Sequence, residues 1–350
     1  MTDSEIAHLP AAVENVARLD DLLSEPTAQA ISALARLDGD LMLLGVGGKM
    51  GPTLARMARR ASDAAGAGRR VIGVSRFSTP QHEVWLQSHG VETIRCDLTD
   101  AAQLERLPDA PNVVFMTGMK FGATGNEPLT WMTNVFAPGM ACGKFADSRV
   151  VAFSTGNVYP LTPVDGGGSV ETDLLRPVGE YAMSALGRER ILQHFSGALA
   201  IPMAVLRLNY AQDLRYGVLC DIARTVWERT PIDVTMGHFN ALWQGDANAM
   251  ALAAFDHVAT PAATINLAGE ETLSVRCVAE QFGRLLDRQV VFRGAEALDA
   301  LLSNGSLGHR LCGRPRVSAE RMMEWIADWV RRDGPMLGKP TRFEVRDGTY

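Results

Sequence analysis

The chain has 350 residues, 47% hydrophobic and 21% charged, proportions of a globular protein with one large or two fused domains, which excludes disorder. No run approaches about 18 uninterrupted apolar residues, and Met1 to Pro10 has neither a basic flank nor an apolar core, so neither a membrane span nor a secretory signal is expected. A net charge of −6 argues against nucleic acid or an anionic membrane as the main partner.

Residues 1–38 read as a helical, amphipathic extension, with Val13, Val16, Leu19, Leu22 and Leu23 on one side and Pro26 separating a second helix, Ala28 to Leu37. From Asp40 the pattern changes to short apolar runs alternating with helical stretches. The runs are Leu41–Leu44, Val71–Val74, Val91–Ile94, Val113–Met116, Val150–Phe153, Met203–Leu208 and Thr264–Leu267. Continuous apolar strands separated by helices predict right-handed crossovers and a doubly wound α/β fold, its parallel sheet covered on both faces. Ligands of such sheets bind outside the carboxyl ends of the strands.

The first strand runs into Gly45-Val46-Gly47-Gly48-Lys49-Met50-Gly51 and then a helix from Pro52. Glycines at 45, 48 and 51 allow a tight turn, approach of backbone to a pyrophosphate, and close helix–strand packing, and the helix N-terminus adds free N–H donors. In this strand–turn–helix context the loop predicts a bound dinucleotide. The second strand ends in Ser75-Arg76, where a carboxylate would grip both ribose hydroxyls of NAD; a serine–arginine pair suits a 2′-phosphate, so NADP is favoured over NAD. After the third strand, Asp97-Leu98 is placed near the adenine ring.

Further along, Ser154-Thr155-Gly156-Asn157 and Pro177-Val178-Gly179-Glu180-Tyr181 resemble the extended short-chain dehydrogenase/reductase family of NAD(P)-dependent sugar epimerases and dehydratases. The resemblance runs over roughly residues 40 to 330 and takes in Asn134, Arg207-Leu208-Asn209, Gln244-Gly245-Asp246-Ala247 and Ile265-Asn266-Leu267-Ala268-Gly269. It implies a Rossmann domain (39–208, with the returning segment 246–269) and a small C-terminal substrate domain (209–245 and 270–350). It also implies a homodimer through helices near 129–145 and 180–197. By position, Thr155 is the hydroxyl that binds the substrate oxygen and Tyr181 the general acid/base, with Thr117 and Gly118 beside the cofactor. Asn157, Asn209, His238 and Phe239 are the candidate substrate residues.

The family pattern is Tyr-x-x-x-Lys, and this sequence reads Tyr181-Ala182-Met183-Ser184-Ala185. The lysine holds the nicotinamide ribose and favours the phenolate; alanine does neither. Only Lys49, Lys120, Lys144 and Lys339 are lysines, against 30 arginines. Lys120, in Met116-Thr117-Gly118-Met119-Lys120-Phe121, is the candidate replacement, and Lys49 a candidate pyrophosphate contact. Two other readings stay open: a different base, or a domain without turnover.

Nucleotide-sugar members of the family carry an arginine seven residues before the position of Asp246. Here Phe239 stands there, which argues against a nucleotide-sugar substrate. Arg215, Arg310, Arg314 and Arg316 are candidates for an anionic group on a smaller one. Trp325 and Trp329 with Met322 mark the core face of a late helix, and Gly338 to Glu344 is too polar and proline-broken for a helix, a tail expected to lie across the surface or a dimer partner. Cys96, Cys142, Cys220, Cys277 and Cys312 form no metal-ligand spacing and read as reduced, buried thiols of a cytoplasmic protein. The expected function is therefore an NAD(P)-dependent oxidoreductase or epimerase, acting on a hydroxyl-bearing carbohydrate or sugar acid. The alternative is a catalytically degenerate NAD(P)-binding sensor or scaffold. No metal is expected.

Overall fold

The computed structural model describes residues 9–120, 122–123, 125–339 and 341–349. Residues 1–8 of the predicted N-terminal extension, Phe121 and Pro340 lie outside the described residues. Seven parallel strands form the main sheet: β1 Leu41–Leu44, β2 Val71–Ser75, β3 Glu92–Arg95, β4 Asn112–Phe115, β5 Arg149–Thr155, β6 Met203–Leu208 and β7 Ala263–Leu267. Their order across the sheet is β7-β6-β5-β4-β1-β2-β3, so the winding reverses between β1 and β4. That reversal opens a crevice at the carboxyl ends of the strands.

Both faces of the sheet are buried. Leu41, Leu43, Val114, Val151 and Leu206 point into one core, and Met42, Leu44, Val113, Phe115 and Val205 into the other. The alternation follows from the two-residue period of a strand, and burial on both sides is why these strands read as unbroken apolar runs. A third core lies apart from the sheet around Phe239, Trp243, Phe282, Trp325 and Trp329. It is built on the helices Val218–Trp227, Val275–Leu286 and Ala319–Arg331.

The helices are α1 Val16–Leu23, α2 Ala28–Ala35, α3 Gly51–Ala64, α4 Pro80–Ser88, α5 Ala101–Glu105, α6 Glu127–Trp131, α7 Ala137–Lys144, α8 Gly179–Ala198, α9 Val218–Trp227, α10 Gln244–Ala253, α11 Val275–Leu286, α12 Ser306–Cys312 and α13 Ala319–Arg331. The N-terminal helices divide between the cores: Leu19, Leu22 and Leu23 of α1 join the third, while Ala30 and Leu34 of α2 pack on the sheet. The expectation of helix throughout 1–38 fails at residues 9–15, which are irregular. Asn15 is the physical start, its side chain accepting the Arg18 amide at 2.9 Å and so ending any upstream helix.

Between α6 and α7 the chain makes a π turn, Met132–Phe136. It turns Asn134 inward, fully buried, and leaves Phe136 exposed. One buried ion pair fixes α8 against the sheet. Arg207 of β6 donates to Glu189 of α8 at 2.7 Å, Ser154 Oγ donates to the same carboxylate at 2.6 Å, and Arg207 also donates to Tyr159 Oη at 2.7 Å. Removing either partner would strand a buried charge, a loss of about 3–5 kcal/mol.

Four of the five cysteines are buried, and none forms a disulfide. Cys277 departs from the expectation and is exposed, because Val275, Val278, Ala279 and Phe282 define the buried side of α11 and position 277 falls opposite. Trp325, Trp329 and Met322 are buried as the spacing predicts. Among the described residues no helix is long and apolar enough to cross a membrane.

Candidate functional site

The glycine loop sits at the mouth of the crevice. Gly45 has φ +95°, and a side chain there would strike Thr117 at the end of β4; one at Gly51 would strike the Val46 carbonyl. These contacts press α3 against β1, and Gly48, whose missing side chain has only the Gly45 carbonyl within reach at 3.6 Å, leaves a face open. Pro52 enters α3 in its first turn, and no side chain caps the helix. Its first amides are thus available to an anion. Thr117 Oγ1 is buried with no hydrogen-bond partner, beneath the same loop. An orphaned hydroxyl and an uncapped helix N-terminus behind an open glycine face fit an NAD(P) dinucleotide.

At the end of β2, Phe77 N–H donates to Ser75 Oγ at 3.4 Å, and no carboxylate stands at the Ser75 position. The Arg76 side chain is 73% exposed and lies 3.9 Å from Asp97. Asp97 accepts the Thr99 hydroxyl at 2.7 Å and its amide at 3.0 Å, bonds that hold its carboxyl below the usual carboxylate range. Leu98 beside it is buried.

Thr155 ends β5, where its hydroxyl donates to Asn157 Oδ1 at 3.0 Å and accepts the Asn157 amide at 3.2 Å. Tyr181 lies in the first turn of α8. Lys120 reaches it from the loop after β4: its Nζ stands 5.8 Å from the Tyr181 ring centroid and donates to the Thr341 carbonyl at 3.4 Å. Lys49 Nζ donates to the Ala211 carbonyl at 3.3 Å and lies 3.9 Å from the Tyr216 ring centroid. Burial lowers both lysines to about 8.

Sequence reasoning missed Arg188. It follows Tyr181 by two helical turns, and helical side chains lean toward the N-terminus, so its guanidinium reaches back toward the level of Ala185. It is buried without a carboxylate hydrogen-bonded to it, donating to Phe153 O at 2.9 Å, Asn134 Oδ1 at 2.8 Å and Asn134 O at 3.2 Å. A side chain at Gly118 would fall 2.7 Å from Arg188 Nη2, so glycine is what makes room for it. Asn134 carries the network onward, bonding the amide and carbonyl of Met119 and the Ser184 hydroxyl, which in turn donates to the Tyr181 carbonyl. The only sequence signal was a charge on the buried side of α8.

The other candidates lie deeper. Asn209 is buried, its amide group donating to Asn240 Oδ1 at 3.3 Å. His238 pairs with Ser274 in a short antiparallel ladder and its Nδ1 is buried without a partner. Phe239 is fully buried, with the Phe343 ring 6.1 Å away. Arg215 is paired with Asp213 and Asp20, Arg314 with Glu270, and Arg316 with Asp246.

The model of the NAD dependent epimerase/dehydratase family matches residues 41–210. Among solved structures, the chain is similar to UDP-glucuronic acid 4-epimerase from Bacillus cereus in complex with NAD (17% identity, TM-score 0.69, covering 84% of this chain and 99% of that one). It is similar to dTDP-glucose 4,6-dehydratase from Bacillus anthracis in complex with NAD (14%, TM-score 0.71, 85% and 97%). A third is MoeE5 in complex with UDP-glucose and NAD (20%, TM-score 0.66, 84% and 99%). At these identities the likeness is one of fold. No curated protein matches the chain significantly.

The Lys120 charge is testable by linkage. Its value of about 8 lies below the ordinary 10.5, so between those limits the unfolded chain binds more protons and the site's contribution to stability rises with pH. Below that window the buried charge is a cost. Lys120→Met is therefore expected to gain stability relative to the parent chain at pH 7 and to lose that advantage toward pH 10, measured by urea unfolding. An advantage independent of pH would refute the buried charge.

Proposed function

We propose that this protein, whose residues 41–210 match the model of the NAD dependent epimerase/dehydratase family, is an NAD(P)-dependent oxidoreductase or epimerase of a hydroxyl-bearing carbohydrate or sugar acid. The observation that carries the reading is Lys120 beside Tyr181, in a chain with Ala185 where the resemblance expects a lysine. The dinucleotide, when bound, supplies the hydride acceptor. The chain's own groups handle the proton. Tyr181 takes the proton of a substrate hydroxyl or returns it, with the Lys120 ammonium close to its ring. Thr155 turns its hydroxyl from Asn157 to the substrate oxygen. Arg188 acts through other groups as a positioning residue, holding the Phe153 carbonyl at the end of β5 and the Asn134 side chain that ties Met119 to Ser184.

Ser75 and Arg76 make NADP the preferred cofactor. The exposed, mobile-length Arg76 is free to meet a 2′-phosphate, at the expense of a long and solvated contact with Asp97. The working unit is a homodimer. Trp131, Phe136, Met140, Ile191 and Phe195 line an apolar groove between α6–α7 and α8, a face that a second copy would cover.

Three outcomes are expected. Tyr181→Phe should bind NADPH as the parent does and lose about 10²-fold or more in kcat on carbohydrate or sugar-acid substrates; undiminished turnover would remove Tyr181 from the chemistry. Tight NADPH binding by a parent chain that turns over none of these compounds would instead favour the sensor or scaffold. Arg76→Ala should weaken NADPH about 10- to 100-fold in fluorescence titration and leave NADH unchanged. Phe136→Glu should convert a sedimenting dimer to monomer, and a parent chain that sediments as monomer would refute the dimer.

A further inference from the structure

The segment 341–349 lies across the crevice and touches both of its walls. At one end the Thr341 amide and hydroxyl both donate to Asp221 Oδ2 of α9, at 2.7 and 2.6 Å, while the Thr341 carbonyl accepts from Lys120. In the middle, Phe343 is only 7% exposed and packs on Phe239 in the third core. Arg346 then donates to the carbonyl and the carboxylate of Asp299. At the other end Gly348 meets the start of α8 backbone to backbone: a side chain on Gly348 would strike the Val178 carbonyl, and one on Gly179 would strike Gly348. Gly179 and Gly348 both have positive φ, +82° and +76°. Tyr181 is two residues on.

We propose that this segment is a built-in wall of the substrate site, restricting it to small hydroxylated compounds that carry no nucleoside diphosphate. The inference rests on the enzymatic reading above and names its substrate class. Three observations converge on it. The crossing runs from Asp221 of α9 to Gly179 at the start of α8, two residues before Tyr181. The segment carries Arg342 and Arg346 beside Glu344 and Asp347, but the charges that act on Lys120 are the acidic ones of Glu344 and of Asp221 on α9, and a diphosphate at Lys120 would meet them. Of the arginines around it, Arg215 is committed to Asp213 and Asp20, and Arg346 to Asp299. Lys49, held by the Ala211 carbonyl, and Lys120, held by the Thr341 carbonyl, are the cations at this end of the crevice that a small anionic substrate such as a sugar acid would meet.

The test compares the full chain with two variants, a deletion of residues 341–350 and Gly348→Val, which unseats the end of the wall without removing it. NADPH titration of each first verifies a folded dinucleotide site. Saturation-transfer NMR then reads binding of UDP and UDP-glucose. The expected result is no signal with the full chain and an affinity gain of about ten-fold or more in both variants. Equal signals in all three proteins, whether strong or absent, would overturn the wall. Turnover of free sugar acids is followed in the same samples; its absence from the full chain counts against the enzymatic reading and not against the wall, which the nucleotide probes decide by themselves.

Discussion

Helix α8 must place Tyr181 at its first turn while packing its remaining length against the sheet, and one buried ion pair makes that possible. Glu189 and Arg207 lie almost wholly out of water, and each charge is satisfied by further hydrogen bonds, from Ser154 on one side and to Tyr159 on the other. The pair joins α8, β5 and β6 beneath the crevice. It also explains why Ser154, adjacent to Thr155, is not available as a base: its hydroxyl is spent on Glu189. The proposed chemistry at the crevice would therefore rest on a charged floor that takes no part in it.

Above that floor the positive charge has been redistributed. A lysine at position 185 would have combined ribose contact and phenolate support in one side chain. Here Ala185 is buried in a small cluster with Val158 and Tyr159, while Arg188 comes from one helical turn further along and Lys120 from the loop opposite. The two cations differ in kind. Arg188 keeps its charge and spends it on carbonyl oxygens in a fixed fork, whereas Lys120 is compact, partly destabilised by burial, and close enough to neutrality for small changes around it to matter. Thr341 and Asp221 are among those surroundings, so the late segment of the chain conditions a group supplied by the loop after β4.

Much of this was readable in the sequence. The seven strands emerged within about two residues because strands buried on both faces are continuous apolar runs; the starts of β3, β4, β5 and β7 each moved by one residue, and β5 ran on to Thr155. The glycine loop was legible because its spacing, directly after a strand and opening a helix, is a pattern contained in one short stretch of chain. Arg188 was not, because its meaning depends on the cavity left by Gly118, seventy residues away in sequence. The destination of the 341–349 segment was equally hidden. Its partners Asp221, Phe239, Asp299 and Gly179 are scattered over the chain, and no periodicity marks a stretch held by single long-range contacts.

The π turn at Met132–Phe136 ties together two things that evolution would otherwise adjust separately. Within five residues it sends Asn134 into the Arg188 network and Phe136 out to the apolar groove. An α-helix rotates about 100° per residue, so gaining or losing one residue here would swing both side chains at once. A lineage that shortened the turn to reshape its outer face would scramble the inner one. The length of this stretch is thus a shared inheritance of the site and the surface behind it, and drift in either can proceed by substitution but not by insertion or deletion.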